Sequence, residues 1–133
     1  MKQLLILTTF LSSMIIPSVA HAEWTKVDEN IEGDSYYVDF ERIKKHDGKT
    51  YFWQLSDLLK PVRNGSISGK SYVEAECGRF RYRWLNQTYY KGPMATGEVN
   101  SSYNLPDKNW NYPPPNSVAE TKLKAVCNHK SMQ

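Results

Sequence analysis

Few residues in this chain have the type and spacing for covalent chemistry. Beyond an apolar N-terminal stretch there are two histidines: His46 beside Asp47-Gly48, and His129 near the C-terminus. Neither has a nucleophile close in sequence, and no Gly-x-Ser-x-Gly elbow is present. A zinc site needs several ligands at helix or hairpin spacing. Two distant histidines and two cysteines do not supply them. Asp28, Glu29, Glu32 and Asp34 form an acidic stretch, and paired carboxylates can act as acid and base. At a turn such groups read as solvated surface charge. The residues therefore predict no catalytic group, no metal and no cofactor.

Cys77 and Cys127 are the only cysteines. Two cysteines allow one intramolecular pairing, and an exported chain meets an oxidising compartment. A Cys77–Cys127 bond would close a long loop, worth about 4 kcal/mol in the chain-entropy model. Two free thiols or an intermolecular bridge are the alternatives.

Binding chemistry is better represented. Arg79-Phe80-Arg81-Tyr82-Arg83-Trp84 interleaves cations with rings. On a strand, alternation sends rings and arginines to opposite faces, so this is a core face beside a charged face rather than a base-stacking surface. Cys77-Gly78 reads as a two-residue hairpin turn, since glycine accepts a positive φ. Glu76 then opposes Arg79, Glu74 opposes Arg81, and Tyr72 opposes Arg83. Arg83 is left without an acid, which makes it the arginine freest to meet a ligand. Tyr89, Tyr90, Tyr103, Trp110 and Tyr112 flank two glycine- and proline-rich loops, and such rings suit protein recognition. The candidate binding residues are thus Tyr72, Arg83, Tyr89, Tyr90 and Trp110.

The elements that must hold these groups are short. Residues 24–27, 35–39, 50–59 and 98–103 read as strands from their alternation and bounding turns, and 70–90 as the hairpin. Residues 40–44 read as one helical turn. A C-terminal helix follows Ser117, whose hydroxyl and Glu120 form a capping box. Ala119, Leu123, Val126 and Cys127 share its inner face, with Lys122 and Lys124 pointing away. The whole is α+β: a single antiparallel sheet of about five to six strands, a C-terminal helix packed on it, and one disulfide.

The chain has 133 residues and a net charge of +3. Residues 1–22 read as a secretory signal, with Lys2, an apolar run and the small-x-small site Ala20-His21-Ala22. Residues 23–133 then form one domain, and no transmembrane segment remains. Removing Lys2 leaves +2, too little for a nucleic-acid binder. The domain holds sixteen aromatic rings and as many Val, Ile and Leu residues together. Its core must therefore rest heavily on rings, each able to bury roughly 150–250 Å².

The order of several short motifs resembles the bacterial surface-adhesin protein E family. These are Trp24-x-x-Val27, Tyr36-Tyr37-Val38-Asp39, Ile43, Gly48, Glu76-Cys77, Arg81-Tyr82-Arg83, Tyr89-Tyr90-x-Gly92, Gly97-Glu98-Val99, Trp110, the run Pro115-Asn116-Ser117-Val118-Ala119-Glu120, and Cys127. The resemblance spans Trp24 to Cys127. It implies an antiparallel sheet of about six strands tied to a C-terminal helix by one disulfide, and homodimer formation. It also implies a non-catalytic role in adhesion, binding host extracellular-matrix proteins. The family's best-known member starts its mature chain with a lipidated cysteine. Glu23 stands here instead, so the expected product is periplasmic or secreted, without a lipid anchor. A second reading is a periplasmic envelope component that binds a small molecule or glycan in an aromatic pocket. The expected partner is a host matrix protein or an envelope protein, with no nucleic acid and no stable membrane insertion.

Overall fold

The computed structural model describes residues 22–130. The signal sequence expected over 1–22 lies, but for Ala22, outside the described residues. Seven antiparallel strands form one sheet: β1 (Thr25–Glu29), β2 (Ser35–Val38), β3 (Lys44–His46), β4 (Lys49–Asp57), β5 (Ser68–Glu76), β6 (Arg81–Tyr90) and β7 (Val99–Tyr103). The spatial order is β1-β2-β4-β5-β6-β7, with β3 also paired to β4. A 3-10 turn (Phe40–Arg42) follows β2, and a single helix α1 (Val118–Asn128) closes the chain. The sheet is thus slightly larger than the sequence suggests. The extra strand β3 comes from a tight hairpin at Asp47-Gly48, where both residues take positive φ (49° and 72°). Asp-Gly is favoured in that turn because both central positions need the left-handed region.

Alternation gives the sheet two distinct faces. Val38, Phe52, Val73 and Ala75 point to one side, where Leu123 and Val126 of α1 complete the buried core. Tyr82 and Trp84 pack against it from β6 with rings 5.5 Å apart, edge to face. Each fully buried Val, Leu or Phe contributes roughly 1.5–3 kcal/mol. Ser117 caps the helix by accepting from the Glu120 N–H at 3.1 Å. The Glu120 carboxylate reaches back to the Asn116 backbone N–H rather than to that of Ser117, which is given to Pro114 O at 3.3 Å. The disulfide is formed: Cys77 just beyond β5 joins Cys127 in the last turn of α1, with Cα atoms 5.6 Å apart.

Two expectations need correction. The hairpin turn between β5 and β6 is a four-residue loop, Cys77 to Phe80, closed by Phe80 N–H to Cys77 O at 3.2 Å. Phe80, not Gly78, takes the positive φ, 50°. The register is shifted by two residues, so Glu76 opposes Arg81 and Glu74 opposes Arg83. A shift of two preserves which side each residue faces, so the split into ringed and charged faces survives. The second correction concerns Lys122. Its position three residues after Ala119 and one before Leu123 puts it on the sheet side of the helix, with its ammonium 5.5 Å from the Tyr36 ring. Lys124 does face outward, paired with Glu120 at 2.9 Å.

Candidate functional site

The side of the sheet away from α1 carries the densest group of partly exposed rings and charges. Tyr51 and Trp53 on β4 sit beside Tyr72 on β5, with centroids 6.2 and 4.8 Å from the Tyr72 ring. Alternating residues on adjacent strands necessarily form such a row. Lys70 lies over it, its ammonium 5.1 Å from the Trp53 ring and 6.0 Å from that of Tyr90. Burial, and then the neighbouring Tyr51, raise the Tyr72 hydroxyl above its ordinary pKa. These rings are half-buried rather than sealed.

Next to the row is a charged ladder. Glu74, only 4 % exposed, accepts from Arg83 through Nε at 3.2 Å and Nη2 at 3.1 Å. Lys49 approaches the same carboxylate at 3.2 Å. Glu76 takes a two-pronged contact from Arg81 at 3.2 and 3.1 Å, and Arg79 stands 3.7 Å away. The hydrogen bond from Arg81 holds the Glu76 carboxyl below the ordinary carboxylate range against the opposing effect of desolvation. Trp110, on the segment after β7, covers both guanidinium groups, 4.5 Å from Arg81 and 4.7 Å from Arg83. That segment is pinned by a backbone bridge in which Tyr82 and Asn111 exchange hydrogen bonds at 2.9 and 2.7 Å. Four cations, Lys49, Arg79, Arg81 and Arg83, thus meet the carboxylates of Glu74 and Glu76, and Lys70 adds a fifth over the rings beside them.

Four of the five expected binding residues come together here: Tyr72, Arg83, Tyr90 and Trp110. Arg83 is not free, because the register shift gives it Glu74. It acts as a fixed member of the ladder. Tyr89 is separated from the others by a β-bulge. Val73 opposes Trp84 and Tyr72 opposes Asn86, leaving Leu85 as the extra residue. One inserted residue inverts the alternation beyond it. Tyr90 therefore joins Tyr72, while Tyr89 crosses to the helix side and packs against Gly69, where an added Cβ would lie 3.1 Å from its ring. Sequence reading missed Tyr51, Trp53 and Lys70, although the alternation of Tyr51-x-Trp53 already placed both rings on one side.

Several of the other chemistry-bearing groups have structural partners. Asp34 accepts from Leu59 N–H at 2.9 Å and from Asn30 at 3.0 Å, bracing the β1–β2 turn. Glu29 pairs with Lys26. His46 contacts Asp47 at 3.1 Å on the surface, and His129 lies against the Phe40 ring at 4.9 Å. Among the described residues, no group of three or more His, Cys, Asp or Glu side chains could hold a metal ion. No described helix is long and apolar enough to cross a membrane.

A family model, Surface-adhesin protein E, matches residues 24–128. The chain belongs to the surface-adhesin protein E family. Among solved structures, crystal form II of Haemophilus influenzae protein E is similar with a TM-score of 0.63 at 15 % identity, covering 84 % of this chain and 91 % of that one. A selenomethionine form of the same protein gives 0.62 at 13 % identity, covering 84 % and 90 %. A further structure, from non-typeable Haemophilus influenzae, gives 0.55 at 14 % identity, covering 84 % and 79 %. At these identities the likeness is one of fold. No curated protein matches in sequence. Family membership and fold agree with the resemblance read from the order of the motifs.

Proposed function

We propose that this chain is an exported, non-catalytic domain that binds a protein partner in the manner of a surface adhesin. The observation that carries this reading is the row Tyr51–Tyr72–Trp53 with Lys70 above it and the Arg81–Arg83–Trp110 stack beside it. Trp, Tyr and Arg are the residues that most often anchor protein interfaces. Here they are held in fixed positions by the strand pairing and the ladder, so little side-chain entropy remains to be lost on binding. The surplus of cations on this face favours an acidic patch on the partner.

A host extracellular-matrix protein is the partner the adhesin family suggests, with an envelope protein as the competing candidate. The open edge of β7, with Val99, Tyr103 and, just beyond it, Leu105 exposed, offers a second contact zone beside the rings. The test is binding of the purified, oxidised protein to immobilised extracellular-matrix proteins, in parallel with capture from envelope extract. Saturable binding to a matrix protein at micromolar concentration is expected. Binding confined to an envelope protein would replace the host partner. Light scattering on the free protein would show whether it pairs with a second copy.

A further inference from the structure

The helix side of the sheet holds a feature that protein binding does not use. Between α1 and strands β4, β5 and β6 lies a cleft of about 210 Å³, walled in part by Gln54, Ser71, Trp84, Gln87, Tyr89 and Lys122. A protein cavity of roughly 150 Å³ already takes a benzene ring. The space suits one small ring, not an extended chain.

Two of the lining groups make no hydrogen bond or ion pair with any described residue. Gln54 is 7 % exposed, and its amide makes no hydrogen bond to any described residue. Gln54 is not among the sealed unpaired polar groups of the described residues, so its amide is open to the cleft and available to an occupant. Lys122 forms no ion pair with any described residue, although its side chain is half-buried. Around it stand Tyr36 of β2 at 5.5 Å, Asp28 of β1, whose charge reaches it from a distance, and Tyr82 of β6 across a narrow gap. Burial lowers its pKa to about 8, with Asp28 pulling the other way. At neutral pH the amine still carries its charge. Gln87 accepts from the Tyr89 hydroxyl at 2.8 Å, which leaves its two amide N–H bonds to be donated.

We propose that this cleft is a binding site for an acidic monosaccharide. Its carboxylate meets the Lys122 ammonium. Its hydroxyls exchange hydrogen bonds with Gln54, Ser71 and Gln87, and its ring lies against Trp84 or Tyr89. A fixed cation, unpaired amides able to donate and accept, and an aromatic wall are what such a ligand needs together. The charge-assisted bond supplies the preference for an acid over a neutral sugar.

The test is an NMR titration of the oxidised protein with glucuronate, glucose and inorganic phosphate. Glucuronate should give saturable shifts at Gln54, Ser71, Trp84 and Gln87, with an affinity of about millimolar order, as fits one small ring. Glucose should shift the same residues at least about tenfold more weakly. Lys122→Met should remove the preference for glucuronate, and Lys122→Arg should retain it. Gln54→Leu, which removes an unpaired amide without removing a bond of the fold, should weaken both sugars. No saturable shift in the cleft would overturn the proposal. So would phosphate binding as well as glucuronate, or an unchanged preference in a folded Lys122→Met protein.

Discussion

Lys122→Met keeps the length of the side chain and removes its charge. In the folded protein this amine has a pKa of about 8, against 10.5 for a free lysine, and burial is the main cause. Between these values the unfolded chain holds more protons than the folded one, so stability must rise with pH across that window. Below pH 8 the full cost of burying the charge is present. A gap of about 2.5 pH units at 1.36 kcal/mol per unit corresponds to about 3 kcal/mol. Methionine escapes this cost while filling the same space, as apolar replacements of buried charges often do. Urea unfolding of both proteins at pH 7 and pH 9.5 measures the effect. The variant should be more stable at pH 7 by about 3 kcal/mol, and its lead should shrink by about 2 kcal/mol at pH 9.5. Burial raises the pKa of Tyr36, Tyr72, Tyr82 and Tyr89. Raised groups favour folding at low pH and lose that contribution as pH rises past their unfolded value, but they do so equally in both proteins. A variant no more stable than the parent at pH 7, or a gap independent of pH, would refute the reasoning.

Two further substitutions probe the frame. Replacing both Cys77 and Cys127 by serine opens a loop of 50 residues and should lower stability by about 4 kcal/mol, read from the urea midpoint at constant slope. Arg83→Met leaves the buried Glu74 carboxylate with Lys49 alone and should cost about 3 kcal/mol. The double change Glu74→Met with Arg83→Met should recover much of that loss, because the uncompensated charge is gone. A double variant as unstable as the single one would mean that the ladder's packing, not its charge balance, dominates.

How far the sequence could be read depended on which signals were local. The division of residues 70–90 into a ringed face and a charged face was legible, since side-chain alternation survives an even shift of register. The shift itself was not, because Cys77-Gly78 resembles a two-residue turn and nothing local shows that Phe80 takes the left-handed conformation. That error hid the acid partner of Arg83. The bulge at Leu85 had no sequence signature, yet it decides that Tyr90 joins Tyr72 while Tyr89 does not. Lys122 was legible in principle. The spacing of residues 119, 122, 123 and 126 is a core-facing pattern, and its lysine was misread as solvated because of its charge. The Cys77–Cys127 bond followed from cysteine count and expected export, which do not depend on local geometry.

The central claim is that the ring-and-cation face is where a protein partner is bound. The most direct measurement is the affinity of the oxidised protein, and of Trp53→Ala and Tyr72→Ala, for the matrix protein that the binding panel selects, with each variant shown to be folded by circular dichroism and NMR. Each truncation should weaken binding by about 2 kcal/mol, or about thirtyfold, as for anchoring rings at other interfaces, while Ile31→Ala, whose side chain is exposed in the β1–β2 turn, should change it little. Full affinity in folded Trp53→Ala and Tyr72→Ala proteins would contradict the account and move the interface elsewhere on the domain.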